Sequence, residues 1–185
     1  MSNDNIAARP ELADALKIAD LIHDRARLED AITAMGSAID TALEGEVPLF
    51  LSVMNGGLIF AGALALAIVG DLEFDYVHAT RYRSSTQGQE LTWIKRPRAS
   101  LSGRTVLLAD DILDEGHTLK AIRDFCLEQG ARRVLIAVLC KKDNGRTAPG
   151  IRADFVGVQV PDRYVFGFGM DYYEQGRNLP GIYAV

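Results

Sequence analysis

The sequence predicts an α/β protein with a mostly parallel central sheet and helices on both faces of that sheet. Continuous apolar runs of strand length occupy residues 48–54, 105–109 and 133–140. Segments with apolar residues at helical spacing separate these runs, which is the pattern of a parallel sheet covered on both sides. Acidic, basic or glycine residues follow each run directly, at the edge where such sheets bind ligands. The same observations therefore predict both the fold and the place of a binding site.

The composition narrows the class of protein. A length of 185 residues fits one domain, and 48% hydrophobic with 24% charged residues predicts a soluble globular protein with a sizeable core. The net charge of −5 argues against a nucleic-acid partner. The N-terminus has no signal-peptide pattern, and the most apolar stretch, residues 58–70, is too short to span a bilayer, so no membrane partner is expected. Cys126 and Cys140 show no metal-ligand spacing and are interpreted as buried thiols of a cytoplasmic protein.

The first third of the chain predicts two helices, a strand and a third helix. Apolar and charged residues alternate at helical spacing over residues 11–44, with a first helix ending near Arg27. The strand at 48–54 stops at the glycine turn 55–57, and the apolar segment 58–70 predicts a buried helix.

The remainder continues the alternation of strands and helices. Residues 81–90 are polar and contain glycine, which predicts a loop. Residues 118–129 place apolar side chains on one helical face, and the end of the chain predicts an irregular tail. Strands are predicted at 72–80, 91–94, 105–109, 133–140, 154–160 and 164–169.

The segment V-L-L-A-D-D-I-L-D-E-G-H-T-L, residues 106–119, carries the clearest chemistry. Its last part is a glycine-containing turn before a helix, where backbone N–H groups and the helix dipole suit a phosphate, and Thr118 adds a hydroxyl donor. Asp110 and Asp111 repel phosphate, so they are expected to accept hydrogen bonds from sugar hydroxyls or to hold Mg²⁺, directly or through water. A ribose 5-phosphate matches this arrangement in length and polarity.

The acidic segment is also compatible with two different structures. The acids could form a solvated turn that only caps the helix. Alternatively, a phospho-acceptor receiver domain also gathers acids around Mg²⁺, although it takes them from separate strands and begins with a strand rather than with helices.

Residues 106–119 resemble the phosphoribosyl-pyrophosphate (PRPP) signature of the type I phosphoribosyltransferases, and the wider pattern resembles the hypoxanthine-guanine branch of that family. The resemblance covers the chain from about residue 47 to the C-terminus. It implies the type I phosphoribosyltransferase fold with a small hood formed by the N-terminal and C-terminal segments. The whole chain, 1–185, is then one domain, with N-terminal helices at 1–45, a core at 46–150 and a purine-binding hood segment at 151–185.

The resemblance assigns roles along the signature. Asp110 and Asp111 would contact the ribose hydroxyls and contribute to a metal site, and Asp114 would be the catalytic general acid/base near N7 of the purine. The 5′-phosphate would be held by Glu115, Gly116, His117 and Thr118.

Further segments resemble the parts of the family that bind the base. Lys141 matches the strand-end lysine that donates to the exocyclic oxygen of 6-oxopurines, since an ammonium group can only donate. Tyr164 is expected to stack on the base, Val165 to contact its edge through the backbone, and Asp171 to bind near the purine and contribute to the Mg²⁺ site.

Pyrophosphate binding is expected from three further places. The first loop contributes Asn55, Gly56 and Gly57, with Asn55 standing where many members have lysine. Arg81 and Tyr82 open the loop 81–90, which resembles the mobile loop that closes over the reactants. Arg177 matches the position in the tail that reaches pyrophosphate.

The resemblance implies an activity and its partners. Hypoxanthine or guanine would react with PRPP in the presence of Mg²⁺ to give IMP or GMP and pyrophosphate, in a homodimer or homotetramer. Two alternatives remain, namely a xanthine-preferring transferase and a regulator that keeps the fold but binds RNA. The regulator would need a basic face, which the net charge does not favour.

Overall fold

The structure, a computed structural model, describes residues 10–81 and 91–185. Its helices are α1 (Leu12–Ile18), α2 (Arg25–Leu43), α3 (Gly57–Ala67) and α4 (His117–Glu128). Its strands are β1 (Asp20–His23), β2 (Leu49–Met54), β3 (Glu73–Arg81), β4 (Leu91–Lys95), β5 (Thr105–Leu113), β6 (Arg133–Lys142), β7 (Phe155–Val160), β8 (Val165–Phe166) and β9 (Ile182–Ala184).

Six strands form the central sheet in the order β4-β3-β2-β5-β6-β7. Strands β2, β3, β5, β6 and β7 pair in parallel, and β4 adds an antiparallel edge. One face packs on α2 and α3, and the opposite face packs on α4. The predicted α/β fold with helices on both faces is confirmed.

Helices α2 and α3 pack closely because α2 carries a glycine at their contact. A Cβ atom on Gly36 would lie 2.4 Å from the carbonyl oxygen of Ala67, the last residue of α3. Next to this contact, the Asp40 carboxylate accepts hydrogen bonds from the backbone N–H groups of Val69 and Gly70, both at 2.9 Å. These bonds fix the chain where it leaves α3 for β3.

A second, three-stranded sheet in the order β1-β9-β8 joins the two ends of the described chain and forms the predicted hood. Strand β1 lies where the sequence predicts helix, and β9 lies in the tail that the sequence predicts to be irregular. Asp20 pairs with Ala184 and Leu21 with Tyr183. The helical prediction is wrong at residues 20–23 because their backbone hydrogen bonds come from a strand more than 150 residues away, which no local pattern records.

Strand β5 continues through the acidic pair to Leu113, beyond the predicted end at residue 109. Parallel pairing with β6 extends to the register of Leu113 with Lys141. The acids therefore lie on a fixed strand rather than on a free loop. Within residues 10–81 and 91–185, no helix has both the length and the apolar character needed to cross a membrane.

Candidate active site

The ends of β2 and β5 and the start of α4 enclose a cleft of about 440 Å³ at the carboxyl edge of the sheet. A second cleft of about 210 Å³ adjoins it and shares Asp111, Ile112 and Asp114. The first cleft is lined by Val53, Met54, Gly56, Ala79, Asp110, Asp111, Ile112, Asp114, Glu115, Gly116, His117, Thr118, Leu119 and Arg177. The structure therefore gathers most of the predicted site residues around one continuous depression.

The turn between β5 and α4 has the geometry of an anion site. Gly116 has φ of +74°, in the left-handed region that favours glycine, and a Cβ there would lie 2.7 Å from the side chain of Leu113. Helix α4 begins at His117, and the first N–H groups of a helix have no partner within it. These donors and the positive end of the helix dipole meet the first cleft, so the turn suits a phosphate.

Asp110 and Asp111 form a carboxylate pair beside this turn. Asp110 is only 9% exposed, and its Oδ1 accepts a hydrogen bond of 2.9 Å from the backbone N–H of Asp111. Burial raises the pKa of Asp110 well above its usual value, and the negative charge of Asp111 raises it further. Burial also raises the pKa of Asp111, while the positive charge of Arg177 opposes this rise. Such a pair favours donors or a cation at its open side.

The glycine turn after β2 packs directly on these acids. A Cβ on Gly56 would lie 1.9 Å from Oδ2 of Asp111, and one on Gly57 would lie 2.7 Å from the carbonyl oxygen of Ala109. Gly56 lines the cleft, whereas Gly57 is buried behind it. The preceding Met54–Asn55 peptide bond is cis, and Asn55 is exposed. Only glycine at 56 allows the loop backbone to approach the acidic pair this closely.

Asp114 lies where the two clefts meet, because it lines both of them. Its Oδ2 accepts a hydrogen bond of 2.8 Å from Lys142 Nζ, and its Oδ1 accepts one of 2.6 Å from Asn144 Nδ2. The predicted proton-handling residue thus sits between the phosphate turn and the second cleft, with both oxygens engaged.

The structure brings Lys142 to this site and not Lys141, the residue that was expected to bind the purine. Lys142 lines the second cleft, whereas Lys141 lines neither cleft. Successive residues of a strand point to opposite faces, so only one of two adjacent lysines can face the site. The sequence shows two lysines side by side and gives no signal that selects between them.

The second cleft has an aromatic and acidic wall. It is lined by Tyr164, Val165 and Asp171, the three residues that were expected to lie near the base. The Tyr164 ring stacks on Tyr173 at 5.8 Å between centroids, and partial burial raises the pKa of its phenol. Tyr164 is 44% exposed, so part of this aromatic side chain can contact a ligand in the second cleft.

Arg177 links the two clefts through the tail of the chain. Its guanidinium lies 2.7 Å from Oδ1 of Asp171 and donates to the carbonyl oxygen of Gly169 at 2.8 Å. Arg177 therefore reaches the first cleft while Asp171 reaches the second. Arg81 ends β3, and its side chain, like Tyr82 and the rest of the predicted loop, lies outside the described residues.

The predicted magnesium ligands are all carboxylates. Asp110, Asp111 and Asp171 offer oxygen atoms, the donors that Mg²⁺ prefers. In the part of the chain that the structure describes, no three His, Cys, Asp or Glu side chains are arranged to enclose a metal ion. Since Mg²⁺ is commonly held by one or two carboxylates together with substrate phosphates, the residues fit an ion that enters with a diphosphate.

A parallel sheet with a phosphate turn and paired carboxylates at its carboxyl edge defines a class of enzymes that bind sugar phosphates or nucleotides. Comparison with known proteins identifies the family within this class. The family model described as "Phosphoribosyl transferase domain" matches residues 19–175. This chain therefore belongs to the phosphoribosyltransferase family.

Individual relatives agree with this family. The chain is 35% identical to the hypoxanthine-guanine phosphoribosyltransferase of Bacillus subtilis (strain 168), over 84% of this chain and 86% of the relative. It is 33% identical to the enzyme of the same name from Streptococcus pneumoniae (strain ATCC BAA-255 / R6), over 86% and 88%. A crystal structure of a hypoxanthine phosphoribosyltransferase from Staphylococcus aureus superposes with a TM-score of 0.84 at 28% identity, covering 90% of both chains.

Proposed function

We propose that this protein is a purine salvage enzyme that transfers ribose 5-phosphate from PRPP to hypoxanthine or guanine, giving IMP or GMP and pyrophosphate. The observation that carries the proposal is the position of Asp114 at the junction of a phosphate cleft and a cleft with an aromatic wall, in contact with Lys142. The names of the relatives support the same substrates.

The first cleft would take PRPP. The turn from Glu115 to Thr118 would bind the 5′-phosphate through backbone N–H groups, and Asp110 and Asp111 would accept hydrogen bonds from the ribose hydroxyls. The diphosphate would then extend towards Gly56 and Arg177, where a backbone amide and a guanidinium can stabilise the charge that develops on leaving pyrophosphate.

Magnesium would bind where the two clefts adjoin, through Asp171 of the second cleft and through Asp110 and Asp111 directly or by way of water. Bound with the diphosphate, the ion supplies positive charge that favours departure of pyrophosphate. The protein holds these carboxylates in place through the Asp171–Arg177 ion pair at 2.7 Å and through the buried position of Asp110.

The second cleft would take the purine. The Lys142 ammonium would donate to the oxygen at C6 and would disfavour an amino group there, so the site would select against adenine. Tyr164 would stack on the ring, Val165 would meet its edge, and Asp114 would accept the proton at N7 as N9 attacks the ribose. We further propose that residues 151–185 act with β1 as the base-binding part of a single domain.

Steady-state turnover of hypoxanthine, guanine, xanthine and adenine with PRPP and Mg²⁺ tests the substrate assignment. We expect efficient turnover of hypoxanthine and guanine and little of adenine. A preference for xanthine would replace the assignment with a xanthine transferase. Absence of turnover combined with tight, salt-sensitive RNA binding would replace it with the regulator.

The oligomer is proposed to be a homodimer, or a homotetramer built from such dimers, that covers exposed apolar side chains of α3, of the turn that follows it, and of β3 and β4. Helix α3 has no charged residue, and Leu66 and Val69 are more than 90% exposed. The surface also includes Leu58, Phe74, Tyr76 and Ile94. Six such side chains expose on the order of 600 Å², most of the roughly 800 Å² per partner that a stable interface buries. Light scattering should give at least twice the mass of the chain, and a monomer at micromolar concentration would contradict the assignment.

A further inference from the structure

The loop that follows β6 is attached to the Asp114 segment at three points. Asn144 Nδ2 donates to Oδ1 of Asp114 at 2.6 Å, and Thr147 Oγ1 donates to its backbone carbonyl at 3.3 Å. The backbone N–H of Ala148 donates to the carbonyl oxygen of Glu115 at 2.8 Å. Only the bond from Asn144 reaches the carboxylate itself.

The orientation of the Asn144 amide is fixed by its second partner. The backbone N–H of Arg146 donates to Oδ1 of Asn144 at 2.9 Å. Because a backbone N–H can only donate, the oxygen of the amide must face Arg146 and its NH₂ group must face Asp114. The Arg146 side chain in turn contacts Asp162 at 2.6 Å, which ties the loop to the segment that precedes Tyr164. Asn144 is thus held before any ligand arrives.

The Asp114 carboxylate accepts one hydrogen bond from Lys142 and one from Asn144, and a bound base affects these two bonds differently. In a 6-oxopurine the C6 oxygen and N7 lie on one edge of the ring, so a base held by Lys142 and Asp114 presents that edge to both side chains together. Lys142 Nζ donates to Oδ2 of Asp114 at 2.8 Å, so an ammonium that also meets the base must divide its N–H donors between the carboxylate and the purine oxygen. The bond from Lys142 is thus shared with the base, whereas the bond from Asn144 serves the Asp114 carboxylate alone.

We infer that Asn144 is a positioning residue that holds the Asp114 carboxylate facing N7 while Lys142 donates to the purine oxygen. The inference rests on the proposed function, since it concerns the same base. Without Asn144, the carboxylate can rotate about its side-chain torsions, and the acceptor for the N7 proton loses its fixed direction. Asn144 touches neither substrate in this scheme and acts only through Asp114.

Two isosteres of hypoxanthine separate positioning from general support of the fold. 9-Deazahypoxanthine presents an N–H donor at position 7, whereas 7-deazahypoxanthine presents a C–H group there. Both would be measured as competitive inhibitors of hypoxanthine turnover, with wild type, Asn144→Ala and the control Thr147→Val. The control removes a hydrogen bond from the same loop to Asp114 but leaves the carboxylate contact intact.

Asn144→Ala should weaken inhibition by 9-deazahypoxanthine about tenfold and change that by 7-deazahypoxanthine less than about twofold. Thr147→Val should leave both constants within about twofold of wild type. If Asn144→Ala weakens both isosteres equally, or neither, the positioning role is wrong although the proposed function stands. If the wild type turns over no hypoxanthine, the proposed function itself fails.

Discussion

Lys141 and Lys142 are adjacent residues of the same type at the end of β6, yet only Lys142 lines the second cleft and contacts Asp114. We predict that Lys142→Met lowers kcat/KM for hypoxanthine about 10²-fold, because it removes a charged hydrogen-bond donor from the base. Lys141→Met is the matched control and should stay within about twofold of wild type. Steady-state kinetics with varied base concentration measures both. A larger loss of kcat/KM in Lys141→Met than in Lys142→Met would show that Lys141 is the lysine that binds the base.

Single residues were predictable where their chemistry is contiguous in sequence. The two acids, Asp114 and the glycine turn follow one another within residues 110–118, so their spacing alone indicates a sugar-phosphate site. Asn144 could not be found in this way, because it is 30 residues from Asp114 and an asparagine beside glycine usually indicates a turn. Its role depends on the way the loop after β6 folds back over the end of β5.

Two glycines, Gly36 in α2 and Gly62 in α3, test how closely these two helices pack. Gly36→Ala should destabilise the protein by about 1–3 kcal/mol, although alanine favours helix, because its Cβ would lie 2.4 Å from the backbone of Ala67 in α3. Gly62 in α3 is the matched control for packing within the chain, since a Cβ there meets nothing of the same chain within 4 Å. Gly62→Ala should stabilise by roughly 0.5–1 kcal/mol. Urea unfolding monitored by circular dichroism measures both changes, and a stabilising Gly36→Ala would contradict the close packing of α2 on α3.

The strands of the central sheet and the helices that pack on it were predictable from apolar periodicity. The apolar residues that each of these elements buries recur at a regular spacing within the element itself. Strands β1 and β9 were not, since they are short and stabilise each other only across the folded chain. The end of β5 was also missed. Acidic residues usually mark the end of a strand, but here the pairing with β6 extends the strand to Leu113. The elements that sequence reasoning misplaced are those held by distant partners.

At the scale of the whole molecule, Glu46 joins three separate parts of the chain. Its Oε2 accepts hydrogen bonds from Arg132 and from Thr105, each at 2.6 Å, at the starts of β6 and β5. The bond from Arg132, followed by that from Thr105, lowers the pKa of Glu46 to about 2. A carboxylate whose pKa is lower in the folded than in the unfolded protein stabilises the fold at pH values above the unfolded pKa. For Glu46 this contribution is lost as the pH falls through about 2.

We therefore predict that Glu46→Gln is less stable than wild type at pH 7 and that the difference shrinks as the pH falls from about 4.5 towards about 2. Urea midpoints at several pH values measure this difference. Glu128→Gln, which changes an exposed glutamate at the end of α4, is the control and should follow wild type at every pH. A difference between Glu46→Gln and wild type that grows on acidification would show that the sign is wrong.

The central claim is that Asp114 manages the purine proton while ribose 5-phosphate moves from PRPP to a 6-oxopurine. The most direct measurement is chromatographic detection of IMP and pyrophosphate from hypoxanthine, PRPP and Mg²⁺, with wild type, Asp114→Asn and Glu115→Gln. We predict equimolar IMP and pyrophosphate from wild type, a loss of about 10²–10⁴-fold in kcat for Asp114→Asn, and little change for Glu115→Gln, whose side chain is exposed. Failure of the wild type to form a nucleotide from any 6-oxopurine, or full activity of Asp114→Asn, would contradict the claim.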